Sequence, residues 1–465
     1  MTIWTRLRDM AVLGAVAIGL GAAGPAGAQS LGDALVSAYR HSALLDQNRA
    51  VLRASDEDVA SAMTRLRPVI NWSLGHQFQY TTVTEEWRRT SSATLSAQMT
   101  LFDWGRTQLA VDMAKESVMA TRFQLLSVEQ DVLLSAVRAF MDVRSATQQV
   151  SLQQASLRVI GEEEQAARVR FEVGEITSTD VTIAGARMAG ARAALSAAEG
   201  QLEIAREAYA GAVGARPGAL AEPPPLPQRP GSLEAAQRTA QQNHPAVLQA
   251  QRQVAGAELA VAAAAAERNP TLNAQAGLSL QNSPNPGGGY GTAGGAQVGI
   301  ELSQTLYGGG RIASGHRQAM AQRDAARSAL LNGSRQVAQA VANAWTNIDV
   351  TNAQIRAIQQ QIEAARQAYA GVREEAQLGA RTTLDVLDAE QSLLSAQADL
   401  ISMEASLQLA HYQLLAAMGL LTVEHLQLGI PTYDPSANYN AVQGAPHTSS
   451  TQGESLDRVL DRLRR

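Results

Sequence analysis

The chain has 465 residues and a formal net charge of −5, and it is 45% hydrophobic but only 4% aromatic. The absence of cysteine excludes disulfides, thiol catalysis, cysteine-ligated metals and a lipid anchor on an N-terminal cysteine. The acidic balance gives no indication of nucleic-acid binding, and the abundance of Ala, Gln, Leu and Arg is typical of long helices that pack through small contacts.

Residues 1–28 have the pattern of a secretory signal peptide. Arg6 and Arg8 form a basic region, an apolar core follows from Met10 to Leu20, and Ala26-Gly27-Ala28 fits a cleavage site. An N-terminal membrane anchor is the alternative, but a span needs about 20 apolar residues and this core is shorter. We therefore predict an exported chain. No later stretch is apolar enough for a transmembrane helix, so insertion into a membrane after export would require β-strands.

The remainder of the sequence is an internal duplication. Residues 30–71 align with 232–273 at a constant offset of 202, and from Leu101 onward the offset is 205. The three additional residues fall within a strand pair, where a longer loop is tolerated. We predict two repeats built from the same parts, namely a helix, a strand pair and a long helix pair: 29–230, with strands in 71–102 and helices in 106–213, and 231–425, with strands in 271–306 and helices in 311–419.

Two further segments lie outside the repeated parts. A Pro-rich stretch, 217–230, links the repeats along the surface. The tail, 426–465, is rich in Pro, Asn, Gly and Ser from about Ile430, which predicts disorder apart from a possible short amphipathic end at 456–463.

The predicted strand pairs alternate apolar and small polar residues. In the first pair Trp72, Leu74 and Phe78 alternate with polar neighbours, and Leu272 to Leu280 repeat the pattern in the second pair. Segments of about ten residues with one apolar face fit a barrel wall between lipid and water. A half-buried soluble hairpin has the same period. Aromatic residues near the strand ends favour the membrane, where they would form an interfacial girdle: Trp72, Tyr80, Phe102, Trp104 and Tyr307. Residues 81–92 and 282–295 are predicted loops facing outside.

Four strands are too few to close a barrel, because the smallest transmembrane barrels have about eight. Open strand edges in lipid would leave backbone groups unpaired. The membrane interpretation therefore predicts an oligomer, and three chains would supply about twelve strands.

A long helical pattern follows each strand pair. Val337, Val341, Ala344 and Ile348 begin a heptad seam in the second repeat, and Val132, Ala136, Ala139 and Val143 begin the corresponding seam in the first. About 65 residues at about 1.5 Å each make a rod of close to 100 Å. An ordinary coiled-coil dimer is the alternative, but here each rod follows a strand directly and returns through a second helix.

Similar turns join the outgoing and returning helices. They read Gly174-Glu175-Ile176-Thr177-Ser178-Thr179-Asp180-Val181 and Gly379-Ala380-Arg381-Thr382-Thr383-Leu384-Asp385-Val386. Glycine permits the positive φ that ends the first helix, and Ser, Thr or Asp can cap the second. Together with the Leu-Phe/Tyr-x-x-Gly-Arg step after each strand pair and the proline before each first strand, these turns make the chain from about Ser30 to Leu421 resemble the TolC family of outer-membrane efflux proteins.

The resemblance implies a mixed α and β membrane protein. It would be mostly α-helical, a homotrimer with a long coiled-coil α-barrel in the periplasm and a transmembrane β-barrel of four strands per protomer in outer-membrane lipid. It also implies a passive exit duct for efflux or type I secretion, whose partners are a periplasmic adaptor (membrane fusion) protein and an inner-membrane transporter of the RND or ABC type.

The resemblance also implies which residues close the periplasmic entrance. Asp385 and Asp388 match the acidic residues that line the constriction in the family, so six carboxylates would ring the pore of a trimer. Arg381 matches a latch arginine, with Thr179 and Asp180 at the places of its partners on the neighbouring turn. The sequence departs from the family at Ala376, where the best-known members carry a tyrosine.

From the residues alone, Asp180 and Asp385 are equally well explained as helix caps. Asp388 lies further along the helix and is the better pore candidate. Crowded carboxylates would raise each other's pKa and favour cations, including multivalent ions that block the pore.

Nothing in the sequence predicts an enzyme, a cofactor or a metal site. The seven His residues are scattered, and the Gly308-Gly309-Gly310-Arg311 run lacks the Lys-Ser/Thr of a phosphate loop.

Two other classes of protein share some of these features. A non-channel periplasmic adaptor or coiled-coil scaffold would also be exported and contain heptads, but it lacks two strand pairs suited to lipid. A secreted adhesin has no reason to repeat a strand-to-helix transition.

Overall fold

The computed structural model describes residues 28–82, 85–285, 288–446, 453–455 and 458–459. The predicted signal peptide lies outside the described residues except for Ala28, and so does the predicted amphipathic end except for Arg458 and Val459. The same order of elements occurs twice and is followed by a short helix: α1 Leu31–His41, α2 Ala43–Thr64, β1 Val69–Thr81, β2 Glu86–Phe102, α3 Arg106–Glu172, α4 Ser178–Val213, α5 Leu233–Asn243, α6 Pro245–Ala266, β3 Thr271–Pro284, β4 Tyr290–Ser303, α7 Arg311–Gln377, α8 Thr383–Ala417 and α9 Pro435–Val442.

The four strands form one antiparallel sheet in the order β1-β2-β3-β4. Trp72 lies opposite Leu95, and Leu95 lies opposite Leu278, so apolar residues form rows across one face. No other described part of the chain covers this face, since Trp72 is 71% exposed and Val298 is 88% exposed. The sheet also has two unpaired edges, β1 and β4, within the described chain.

The strands extend further than the sequence predicted. Residues 81–92 and 282–295 were expected to be loops, but β2 begins at Glu86 and β4 at Tyr290. The hydrogen bonds between paired strands join backbone groups, so polar residues can be part of a strand here as well as apolar ones. Chain reversal is confined to a few residues, where positive φ angles occur at Glu85, Gly288 and Gly289.

The two long helices, α3 and α7, have 67 residues each, which corresponds to about 100 Å. Each begins after a glycine with a φ of 84°, Gly105 or Gly310. The predicted seam of α3 is buried, including Val132, Ala136 and Val143. No described helix contains a stretch apolar enough to cross a bilayer.

The main core lies midway along the long helices. Here the short helices α1 and α5 pack against α3 and α7, and Leu31, Leu133, Phe140 and Tyr209 are almost completely buried. Burial of large side chains at this level fixes the long helices relative to each other.

The linker between the repeats is held against the helices. Arg229 in this linker forms an ion pair with Asp349 on α7 at 2.6 Å, and its guanidinium lies 3.7 Å from the centre of the Trp345 ring. Ala221 accepts a hydrogen bond from Arg144 on α3 at 2.9 Å. The Pro-rich stretch therefore fastens both repeats together at the level of the main core.

The predicted disorder of the tail is wrong for its described first part. Asp434 caps α9 by accepting from the Ser436 N–H at 2.8 Å, and Asn438 donates to the buried carboxylate of Asp56 on α2 at 2.8 Å. Tyr433 packs against Arg49 on the same helix. The composition suggested disorder, but a capped helix with a few buried anchors is enough to fix so short a segment.

Candidate functional site

The first turn lies between α3 and α4, at the end of the long helix pair. Gly174 has a φ of 81°, and the N–H of Glu175 donates to the carbonyl of Arg170 at 2.9 Å, which closes the end of α3. Thr177 is the N-cap residue of α4, and Asp180 completes a capping box by accepting from the Thr177 N–H at 3.0 Å.

The second turn, between α7 and α8, has the same backbone design. Gly379 has a φ of 76°, and the N–H of Ala380 donates to the carbonyl of Glu375 at 2.9 Å. Thr382 caps α8 and Asp385 completes the box, accepting from the Thr382 N–H and hydroxyl at 2.9 Å each. Both turn glycines therefore adopt the positive φ that the sequence predicted for them.

Both capping aspartates are anionic at neutral pH. Hydrogen bonds from the Thr177 hydroxyl and N–H hold the pKa of Asp180 below its ordinary value. The Thr382 N–H and hydroxyl likewise lower the pKa of Asp385. The sequence predicted raised pKa values for crowded carboxylates. Within one chain the pKa values of these two aspartates are lowered instead, because the cap hydrogen bonds stabilise the charged form.

Arg381 pairs within its own turn in the single chain. Its Nε donates to Glu375 Oε2 at 2.8 Å, and both side chains are about half exposed. The structure does not bring Arg381 together with Thr179 or Asp180 inside one chain. Ala376, at the place of the family's tyrosine, is 7% exposed and contributes no polar group to the turn.

Asp388 has a partner that the sequence did not reveal. Its Oδ1 accepts from Arg187 Nη2 on α4 at 2.6 Å, with the two side chains 58% and 42% exposed respectively. This is an ion pair between the returning helices of the two repeats, formed by residues 201 positions apart. No helical spacing or motif could have indicated it.

A second polar cluster joins three helices behind the turns. Glu390 on α8 accepts from the Ser156 hydroxyl on α3 at 3.1 Å, and Arg373 on α7 lies 3.3 Å from Glu163 on α3. Glu390 is 7% exposed, and its burial raises the pKa of its carboxyl. The cluster ties α7 and α8 of the second repeat to α3 of the first.

Beside these contacts the helices do not fill the space between them. A cavity of about 590 Å³ lies between α3, α4 and α8 and is lined by apolar residues such as Ile160, Ile183 and Leu387, with Arg187 and Glu390 at its border. Close to the turns, α4 and α8 are therefore joined mainly through the Arg187–Asp388 ion pair rather than by a packed core.

Known proteins share this architecture. A family model described as "Outer membrane efflux protein" matches residues 34–215 and 237–420. The outer membrane efflux protein BepC of Brucella suis biovar 1 (strain 1330) is 34% identical over 415 residues, which cover 89% of this chain and 91% of that protein. The outer membrane protein TolC of Vibrio cholerae serotype O1 is 26% identical over 377 residues, or 79% of this chain and 86% of that protein. A crystal structure of CusC superposes with a TM-score of 0.74 at 18% identity, covering 84% of this chain and 92% of that chain.

The sheet with its uncovered apolar face leads into two helices of about 100 Å, which is the architecture of outer-membrane channel-tunnel proteins. Both repeats match one family model, and the chain therefore belongs to the outer membrane efflux protein family. The resemblance to TolC noted in the sequence is confirmed.

The predicted class of function is confirmed as well. The chain is an outer-membrane exit duct whose helical tunnel extends into the periplasm. Its family and fold are those of transport channels rather than those of enzymes.

Proposed function

We propose that three copies of this chain assemble into one duct of twelve strands and twelve long-helix segments, closed at its periplasmic end by the turns around Gly174 and Gly379. The observation that carries the proposal is the four-stranded sheet, which has an exposed apolar face and unpaired edges at β1 and β4. In lipid those edges need partners, and β4 of one copy beside β1 of the next would close a barrel.

The entrance of this duct would be defined by the charges of the second turn. Asp385 and Asp388 from three copies place six carboxylates around the axis. Asp388 is already paired with Arg187, so the net negative charge of the ring comes mainly from Asp385, whose lowered pKa keeps it ionised. A ring of this kind favours cations and can be blocked by multivalent ones.

Contacts between neighbouring copies would complete the closed state. Arg381 lies on an exposed turn, and its one ion-pair partner among the described residues is Glu375, so it can exchange this partner for Thr179 or Asp180 of the next copy. Because Ala376 offers no hydroxyl, such a latch would rest on the arginine rather than on a tyrosine, while the Arg187–Asp388 pair holds α4 to α8 within each chain.

The partners follow from the position of the duct. A passive tube in the outer membrane needs an energised inner-membrane transporter, of the RND or ABC type, and a periplasmic adaptor that joins the two at the helical turns. The apolar face of the sheet contacts outer-membrane lipid. Cargo specificity would belong to the transporter, because the wall of a wide polar tube makes few selective contacts.

The test is the conductance of the purified protein in a planar bilayer, with Asp385→Asn/Asp388→Asn beside the wild type. We expect small, cation-selective steps in the wild type and loss of the selectivity in the double variant, since the ring would lose its negative charge. Asp58→Asn, an exposed carboxylate on α2 far from the turns, is the control. Unchanged selectivity in the double variant would contradict the ring, and folded trimers without any conductance would favour a periplasmic scaffold.

A further inference from the structure

The lipid-facing side of the sheet carries one positive charge in an unusual place. Side chains on a strand alternate between faces, so Arg89 on β2 shares the apolar face with Trp87 and Leu95. It lies directly opposite Phe78 on β1, which belongs to the same face. Arg88, the preceding residue, lies on the other face, toward the interior of the proposed barrel.

Aromatic rings surround this arginine. Its guanidinium carbon lies 4.4 Å from the centre of the Tyr290 ring on β4, so the side chain reaches across β3. Tyr80 and Trp87 stand opposite each other next to it, with ring centres 5.5 Å apart. A cation held over a ring is fixed in position without being neutralised.

The charge of Arg89 is uncompensated within the described chain. Arg89 is exposed and forms neither an ion pair nor a hydrogen bond with any other residue that the structure describes. A guanidinium presents five N–H donors in a planar fork, and no described residue accepts a hydrogen bond from those of Arg89. These donors are therefore available to an anionic group outside the chain.

The position of Arg89 along the strand places it beyond the apolar part of the bilayer. The two 67-residue helices, α3 and α7, both follow the end of the sheet near Phe102, so the end near Arg89 is the outer one. Phe102 follows Arg89 after thirteen residue steps along the strand. At about 3.3 Å per step and a tilt of about 40°, these steps span roughly 33 Å of bilayer depth, against an apolar band of about 25 Å. When Phe102 is at the inner boundary, Arg89 lies among the outer headgroups.

We propose that Arg89, fixed by Tyr290, binds the phosphate of a lipid headgroup in the outer leaflet. Phosphate matches the planar fork of arginine through two parallel hydrogen bonds, and the surrounding rings suit the boundary between headgroup and acyl chain. A lipid is favoured over a free anion because Arg89 lies on the apolar face, where Phe78 and Trp87 are 64% and 69% exposed and can pack against acyl chains. The proposal depends on the sheet being in the outer membrane, not on the entrance.

The test compares Arg89→Gln with Arg88→Gln, a matched change of an exposed arginine on the opposite face of the same strand. Purified trimers would be incubated with diphosphoryl lipid A or with its dephosphorylated form, and bound lipid would be counted by native mass spectrometry. Loss of a charge-assisted contact should weaken binding of the phosphorylated lipid roughly tenfold in Arg89→Gln and leave Arg88→Gln unchanged. Arg89→Lys should retain part of the binding, since it keeps the charge without the fork.

Three results would overturn the proposal. Equal loss in both glutamine variants would show that strand charge in general attracts the lipid, and equal binding of the dephosphorylated lipid would show that the apolar face alone is sufficient. Displacement of the lipid by low-millimolar inorganic phosphate would indicate a site for a free anion. Conductance of the same variants is measured in parallel. Both should conduct like the wild type, so a defect of the duct is distinguishable from a defect of this site.

Discussion

Replacing Arg187 by Gln should open the proposed entrance and, at the same time, increase its preference for cations. Arg187 is the only described partner of the Asp388 carboxylate, at 2.6 Å, and joins α4 to α8 beside an unfilled cavity. Without it, α8 loses a tether to α4. The carboxylate that remains is no longer neutralised, so the pore gains negative charge.

The size of the effect follows from the exposure of the pair. Because the side chains are 42% and 58% exposed, solvent screens the pair strongly. Such a pair contributes about 0.5 kcal/mol. If the three pairs of a trimer open together, they sum to about 1.5 kcal/mol, roughly a tenfold change in the ratio of open to closed channels. At 1 M salt the Debye length falls to about 3 Å and most of the change should disappear.

The assay is single-channel recording at low and high salt for Arg187→Gln, Asp388→Asn and the double variant. Both single variants break the same tether, so both should open the channel by a similar factor. Their selectivities should change in opposite directions, since Arg187→Gln uncovers a carboxylate and Asp388→Asn removes one. The double variant should open no further than either single variant. Arg192→Gln, an exposed arginine on the same helix, is the control.

Some results would refute this reasoning. Selectivity shifts of the same sign in the two single variants would mean that Asp388 does not face the pore. Additive opening in the double variant would mean that Arg187 and Asp388 act separately. An effect of Arg187→Gln that persists undiminished in 1 M salt would point to lost packing rather than to a lost ion pair.

Three further variants test other contacts. Arg381→Ala should raise conductance in bilayers if this arginine latches neighbouring copies, whereas an unchanged conductance would leave it as a partner of Glu375 only. Asn438→Ala should lower the free energy of unfolding by about 1–3 kcal/mol, because it leaves the buried Asp56 without its donor, and an unaltered denaturant midpoint would contradict the role of the tail. Burial raises the folded-state pKa of Glu390, so its protonated carboxyl stabilises the fold at acidic pH. This stabilisation is lost as the pH rises toward and through that pKa. Glu390→Gln should therefore make stability less dependent on pH in this range, which thermal unfolding from pH 4 to 8 measures.

Much of the fold was predictable because it depends on local patterns. The offsets of 202 and 205 recover both repeats, and the heptad seams recover the buried faces of α3 and α7. The turn glycines were also predictable, since a helix commonly ends at a residue with positive φ and glycine adopts it most readily. In each case the decisive contacts lie within a few residues along the chain.

The features that were missed depend on contacts between distant segments. Arg187 meets Asp388 across 201 residues, and the tail is fixed by a hydrogen bond from Asn438 to Asp56 across 382. The strands also continue through polar stretches because a partner strand is available there. Neither propensity nor periodicity reports such partners, since both describe one segment at a time.

The two turns show how the same backbone design carries different chemistry. Both keep the glycine, the capping threonine and the aspartate that completes the box, because these residues end one helix and begin the next. The charges have diverged between equivalent positions: Arg381 corresponds to Ile176, and Asp388 corresponds to Ile183. Capping alone requires none of them. Asp388 pairs with Arg187 of the first repeat rather than with a residue of its own repeat, so this charged contact joins the two repeats. The duplicated caps are thus explained by the fold, whereas the charges present only in the second turn are those that the proposed entrance would need in order to close and open.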